Sequence, residues 1–207
     1  MSKAILVAAV VVCGAGSAAA QTGTAVVGKA APDFTVADTS GKAHTLSSYK
    51  GRHVVLEWVN FGCPFVAKHY GSGNMQRLQK AYMDKGVVWL AVNSSAEGKQ
   101  GHHSPAEVHA LLKEKASAPT AYLLDTDGKV GHLYGAKTTP HMYVIDPKGT
   151  LVYAGGIDDR PTTDVADIAG ATNYVQAALD ETLAGKPVST AVTKPYGCSV
   201  KYATAAH

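Results

Sequence analysis

Apolar and polar residues alternate through PDFTVADTSGKAHTLSSYKG, residues 32–51, on both sides of Ser40-Gly41, and the alternation predicts a β-hairpin. His53–Asn60 follows as a nearly continuous apolar run, the pattern of a strand buried on both faces. Pro64 is a favoured first helical residue, so a helix is expected to begin there. Gly71-Ser72-Gly73 breaks or kinks it, Met75, Leu78, Ala81 and Tyr82 resume the helical period, and Gly86 ends it. Val87–Asn93 reads as the next buried strand and SSAEGKQGHH as a loop. Ser104-Pro105-Ala106-Glu107 is a capping box that opens a helix with Val108, Leu111 and Leu112 on one face. Ala121–Asp125 is a short strand and Lys129–Tyr134 a short helix. MYVIDPKGTLVYAGG predicts two strands around a tight Asp-Pro-Lys-Gly turn, and the insertion IDDRPTTDVADIAG follows. A last helix spans about Thr172–Ala184, stopped by Gly185 and Pro187. This order mixes parallel crossovers with a terminal hairpin and implies an α/β fold, a central mixed β-sheet flanked by helices.

Composition narrows the class. The 207 residues are 46% hydrophobic and 17% charged, enough for one full core and unlike a disordered chain. The net charge of +3 comes without a Lys/Arg run, so no nucleic-acid partner is expected. MSK, the apolar run AILVAAVVV and the small residues Ala18 and Ala20 before Gln21 form a secretory signal with an A-x-A cleavage site. The run is too short to span a bilayer, and no stable membrane span is expected after cleavage. The expected organisation is a signal peptide at 1–20, one domain at 21–193 and a C-terminal tail at 194–207, in an exported protein, periplasmic or secreted. Cys13 leaves with the signal; a lipoprotein would need a small residue where Val12 stands. Cys63 and Cys198 then remain, and in an oxidising compartment they are expected to pair, as a staple or as a working couple.

The candidate chemistry centres on NFGCPFVAKHY, residues 60–70. Cys63 stands just before Pro64, where a strand hands over to a helix. A thiol acts as a nucleophile only as thiolate, and the first turn of a helix favours that charge. Lys68 and His69 lie near in sequence and would add positive potential. A thioredoxin-type dithiol would put a second cysteine three residues on, where this chain has Val66. Among nine histidines, His69 and His141 would join Cys63 and Cys198 in a thiolate/imidazole copper set, although their spacings match no established ligand pattern. The plainer reading leaves His69 exposed on the first helix and His141 packed beside Pro140. Trp58, Phe61, Phe65 and Tyr70 read as core and site wall, and Asp158-Asp159-Arg160 as a solvated turn.

Three stretches in order, APDFTVADTSGKAHTLSSYKG, LEWVNFGCPFVAKHY and TTPHMYVIDPKGTLVYAG, resemble the thioredoxin-like superfamily. Within it, the chain is similar to the peroxiredoxin-like redoxins related to alkyl hydroperoxide reductase and thiol-specific antioxidant proteins, from about Gly28 to Ala184. The resemblance implies a thioredoxin-like fold with an N-terminal β-hairpin, a cis Pro140 and a Thr139 that faces Cys63. Where typical peroxiredoxins carry the Pro and Thr of P-x-x-x-T-x-x-C, this chain has Leu56 and Asn60, and their catalytic arginine finds no counterpart. The tail carries a GC element in KPYGCSVKY. Together these features imply a thiol oxidoreductase with Cys63 as nucleophile and Cys198 as resolving thiol. It would act by thiol–disulfide exchange or hydroperoxide reduction, without a cofactor. A thiol–disulfide reductant protein and a disulfide or peroxide substrate would be its partners. Two other classes stay open: a copper-delivery module of the same fold, and a non-catalytic domain with a structural Cys63–Cys198 disulfide.

Overall fold

The computed structural model describes residues 24–204; the signal segment and Cys13 lie outside the described residues. Strands β1 (Thr35–Ala37) and β2 (Ala43–Thr45) form the antiparallel hairpin around Ser40-Gly41. Strand β3 (Val54–Trp58) is buried at every position and is the centre of the main sheet. It leads into α1 (Pro64–Gly71), which the left-handed Gly73 separates from α2 (Asn74–Met83). Next come β4 (Val88–Asn93), α3 (Pro105–Glu114), β5 (Ala121–Leu124) and α4 (Lys129–Tyr134). The two-residue β6 (Thr138–Thr139), β7 (His141–Ile145), β8 (Leu151–Gly155), α5 (Tyr174–Leu183) and the two-residue β9 (Cys198–Ser199) complete the chain.

The main sheet has the order β5-β4-β3-β7-β8. Strands β3, β4 and β5 are parallel, and β7 and β8 add to the other side antiparallel. Side chains alternate across each strand. Val55, Trp89, Met142 and Val144 therefore face a core with Val66 and Tyr70 of α1, Met75, Leu78 and Tyr82 of α2, and Val175 and Leu179 of α5. Leu56, Trp58, Leu90, Val92 and Tyr143 face the opposite core, with Phe34, Leu46 and the α4 residues Val130 and Tyr134. The observed strand β3 is shorter than the apolar run, because His53, Val59 and Asn60 flank the ladder.

The capping box is present as its residues require. Ser104 Oγ accepts from Glu107 N–H, and Glu107 Oε2 accepts from Ser104 N–H at 2.7 Å. Ser104→Ala is expected to cost about 1 kcal/mol and lower the melting temperature by about 2–4 °C, measured by far-ultraviolet circular dichroism.

After α5 the tail returns along the sheet edge. Ala154 N–H donates to Ala191 O and Thr193 N–H to Ala154 O. Beyond β9, Val200 N–H donates to Lys137 O, Ala96 N–H to Lys201 O, and Tyr202 OH to Ala136 O. The tail thus crosses the end of the domain where β3 meets α1. Among the described residues, no helix is long and apolar enough to cross a membrane.

Candidate active site

Cys63 is the N-cap of α1, with extended backbone and Pro64 at the first helical position. Its side chain is 1% exposed. Asn60 builds the turn that presents it: Asn60 Oδ1 accepts Gly62 N–H, Asn60 O accepts Cys63 N–H, and Asn60 Nδ2 donates to Gln100 Oε1 at 2.9 Å. The Thr139–Pro140 peptide is cis, and Cys63 Sγ donates to Thr139 O at 3.1 Å. Thr139 is 3% exposed, and its hydroxyl has no hydrogen-bond partner.

Cys198 arrives from the tail. β9 pairs antiparallel with β6, so that Cys198 stands opposite Thr139. Gly197 makes this approach possible: its φ is +133°, and a β-carbon there would sit 2.1 Å from Thr139 O. Both cysteines are free thiols. Burial raises the Cys63 pKa, but hydrogen bonds from the Cys198 thiol and from the Val66 and Cys198 amides outweigh it, and the net direction is down. Cys198 moves the opposite way, pushed up to about 11 by burial and by the Cys63 sulfur beside it. The two thiols are therefore unequal, Cys63 shifted down and Cys198 shifted up.

Lys68 and His69 do not act on Cys63. Both are buried, and both point from α1 toward the tail. Lys68 Nζ donates to Arg160 O at 2.8 Å and lies 5.9 Å from the centre of the Tyr196 ring. His69 is fully buried rather than exposed, and burial pushes its pKa down to about 4 against the pull of Asp158. Asn74 Nδ2 donates to its Nδ1 at 2.9 Å, so His69 Nε2 carries the proton and donates to Tyr196 OH at 3.2 Å. His141, the first residue of β7, is buried beside the proline loop, and its Nδ1 lies against Lys137 N–H and Tyr143 OH. Among the described residues, no three His, Cys, Asp or Glu side chains converge as a metal set, and Cys63, Cys198, His69 and His141 do not form one.

Three further residues matter to which the sequence pattern assigned no part in the site. Asp158, expected in a solvated turn, is 3% exposed and accepts the Tyr196 phenol at 2.5 Å. Nothing in an Asp-Asp-Arg stretch signals that burial. Tyr196 lies in the tail stretch KPYGCSVKY, which carries no periodic signal for its contacts. Glu57, a single charge inside the apolar VVLEWV, was the available signal for a polar group in the core. Its carboxyl accepts Tyr70 OH at 2.7 Å, Trp89 Nε1 at 2.7 Å and Gln79 Nε2 at 3.3 Å.

Residues 27–154, more than half of the chain, match the AhpC/TSA family. The chain belongs to that family. The thiol-disulfide oxidoreductase ResA of Bacillus subtilis is 30% identical over 125 residues, which cover 60% of this chain and 64% of the relative. Peroxiredoxin Q of rice, a chloroplastic protein, is 26% identical over 151 residues, covering 68% of this chain and 63% of the relative. The chain therefore aligns with a little under two thirds of either relative's length. A crystal structure of a conserved protein from Geobacillus kaustophilus superposes with a TM-score of 0.74 at 30% identity, over 87% of this chain and 94% of that one. The fold of this AhpC/TSA member is thioredoxin-like, as the three sequence blocks implied. The family match ends at β8, so the insertion, α5 and the tail with Cys198 lie beyond it.

Proposed function

We propose that this family member is an exported thiol–disulfide oxidoreductase in which Cys63 attacks and Cys198 resolves. The observation that carries the reading is the placement of Cys198 opposite Thr139, the residue whose carbonyl accepts from Cys63 Sγ at 3.1 Å. Cys63 thiolate attacks a partner disulfide RS–SR′, forming Cys63–S–S–R and releasing R′S⁻. Cys198 then attacks the Cys63 sulfur, a Cys63–Cys198 disulfide forms, and RS⁻ leaves with the Cys198 proton. Two electrons have passed from the protein dithiol to the partner. A dithiol reductant protein returns the pair to its starting state. Cys198 need not be acidic while Cys63 is ionised, because part of its raised pKa comes from the Cys63 sulfur and disappears once that sulfur is bonded.

Exchange is favoured over hydroperoxide reduction by the surroundings of Cys63. Asn60, at the place of the peroxiredoxin threonine, uses its side chain on Gly62 and Gln100, and no arginine is among the groups that act on the sulfur. Export is part of the proposal and rests on the N-terminal signal pattern, with residues 21–193 as the working domain and 194–207 as the tail.

Cys198→Ser is expected to accumulate the Cys63 mixed disulfide when mature protein is exposed to oxidised glutathione, read by mass spectrometry as one stable adduct. The wild type should pass through the same adduct to an internal disulfide. Equilibration in graded dithiol buffers gives the potential of the couple. A value of about −250 mV or above fits a working pair, whereas one below about −300 mV marks a structural staple and removes the reading.

A further inference from the structure

Cys198 belongs to a ladder of only two residues on each strand, too short to hold a segment in place by itself. The contacts that bring it to Cys63 are made two positions earlier. Tyr196 OH donates to Asp158 Oδ1 at 2.5 Å and accepts from His69 Nε2 at 3.2 Å. Its ring meets Phe65 edge-on at 5.9 Å and lies beneath Lys68 Nζ. Phe65, Lys68 and His69 all belong to α1, the helix that Cys63 caps. The segment Tyr196-Gly197-Cys198 is thus an anchor on the helix of the nucleophile, a residue with no side chain over Thr139 O, and the second thiol. Contacts beyond β9 hold the chain to Lys137 and Ala136, in the α4–β6 connection, and to Ala96, in the loop after β4. They fix the end of the strand but not its approach to α1.

Given the proposed Cys63–Cys198 couple, the geometry points to Tyr196 as the positioning residue that holds Cys198 within reach of Cys63 and so sets the rate at which the mixed disulfide is resolved. The mechanism is one of effective concentration. Resolution is intramolecular, and its rate scales with the fraction of molecules whose tail is docked. Asp158 makes that fraction depend on the phenol. With the tail docked, the carboxyl is buried and needs the Tyr196 donor, keeping otherwise only Arg160 N–H on the same oxygen. With the tail released, water serves it. Removing the phenol therefore penalises the docked state alone. The first attack forms no bond to Cys198; undocking removes the Cys198 donors that lower the Cys63 pKa but also relieves the burial that raises it, so the two effects oppose each other and that step should change little.

The test follows both steps in the full mature chain with oxidised glutathione as probe, by rapid quenching with an alkylating agent and mass spectrometry. In Tyr196→Phe, conversion of the Cys63–glutathione adduct to the internal disulfide is expected to slow by about tenfold or more, while adduct formation stays within about twofold. Asp158→Asn, which keeps the size of the side chain, should slow the same step. Resolution at the wild-type rate in both variants overturns the inference. So does equal slowing of both steps with a fall in melting temperature, which would mark a merely structural tyrosine. A wild type that forms no adduct at Cys63, or never resolves one through Cys198, overturns the underlying couple and takes this inference with it.

Discussion

Cys63→Ser is expected to lower turnover of a small disulfide by on the order of a thousandfold or more, the scale of removing a nucleophile. Serine keeps the size and the helix N-cap position, so the fold should survive. What it loses is ready ionisation: a hydroxyl at this position stays protonated, whereas the pKa of the Cys63 thiol is lowered by donors from Cys198 and Val66 despite its burial. The measurement is the rate of glutathione release from oxidised glutathione, with hydrogen peroxide assayed in parallel and melting temperature as the folding control. Full activity of the variant on both substrates would sink the assignment of Cys63 as nucleophile. Alkylation of wild-type Cys63 should outpace that of Cys198, whose pKa of about 11 keeps it protonated.

Glu57→Leu carries the largest expected stability loss, roughly 3–5 kcal/mol, or a melting temperature lower by about 10 °C. Leucine fills a similar volume, so the loss is not a cavity effect. It comes from the Trp89 N–H and the Tyr70 hydroxyl, which would be buried without an acceptor. Tyr70 sits on α1 and packs against Phe61 at 5.1 Å, so the damage should reach the turn that presents Cys63. The pH dependence separates this carboxyl from a simple packing residue. Burial raises the Glu57 pKa above its ordinary 4.5, and the three hydrogen bonds oppose that only in part. A group raised on folding stabilises fully below its unfolded pKa, and this contribution is lost as pH rises through the folded value. The deficit of Glu57→Leu relative to wild type should therefore shrink from acid toward neutral and alkaline pH. Glu57→Gln, which resembles the protonated form, should gain on wild type over the same range. Chemical denaturation of all three proteins between pH 4 and 9 tests this, and a deficit independent of pH would mean that Glu57 does not titrate in the folded chain.

The sequence by itself determined the parts of this protein that rest on local rules. Alternation around Ser40-Gly41 specifies the hairpin, because a period of two places one face of a strand inward. The nearly continuous apolar runs of β3 and β4 specify strands covered on both faces. Pro64 fixes the start of α1 and so puts Cys63 at its N-cap, while Ser104 and Glu107 fix the start of α3. In each case the deciding interaction lies within a few residues.

Tertiary structure decided everything that depends on where the tail lies. Residues 186–204 have no helical or strand period of their own, and their path is set by contacts with partners far away in the chain. His69 meets Tyr196 across 127 positions, and Tyr196 meets Asp158 across 38. Such pairings leave no periodic trace, since each needs only one donor and one acceptor brought together by the rest of the fold. For the same reason His69 and Asp158 read as surface residues in sequence but are buried, each satisfied by a group the tail supplies. The cysteine spacing could state that two thiols exist; only the antiparallel pairing of β9 with β6 put one beside the other.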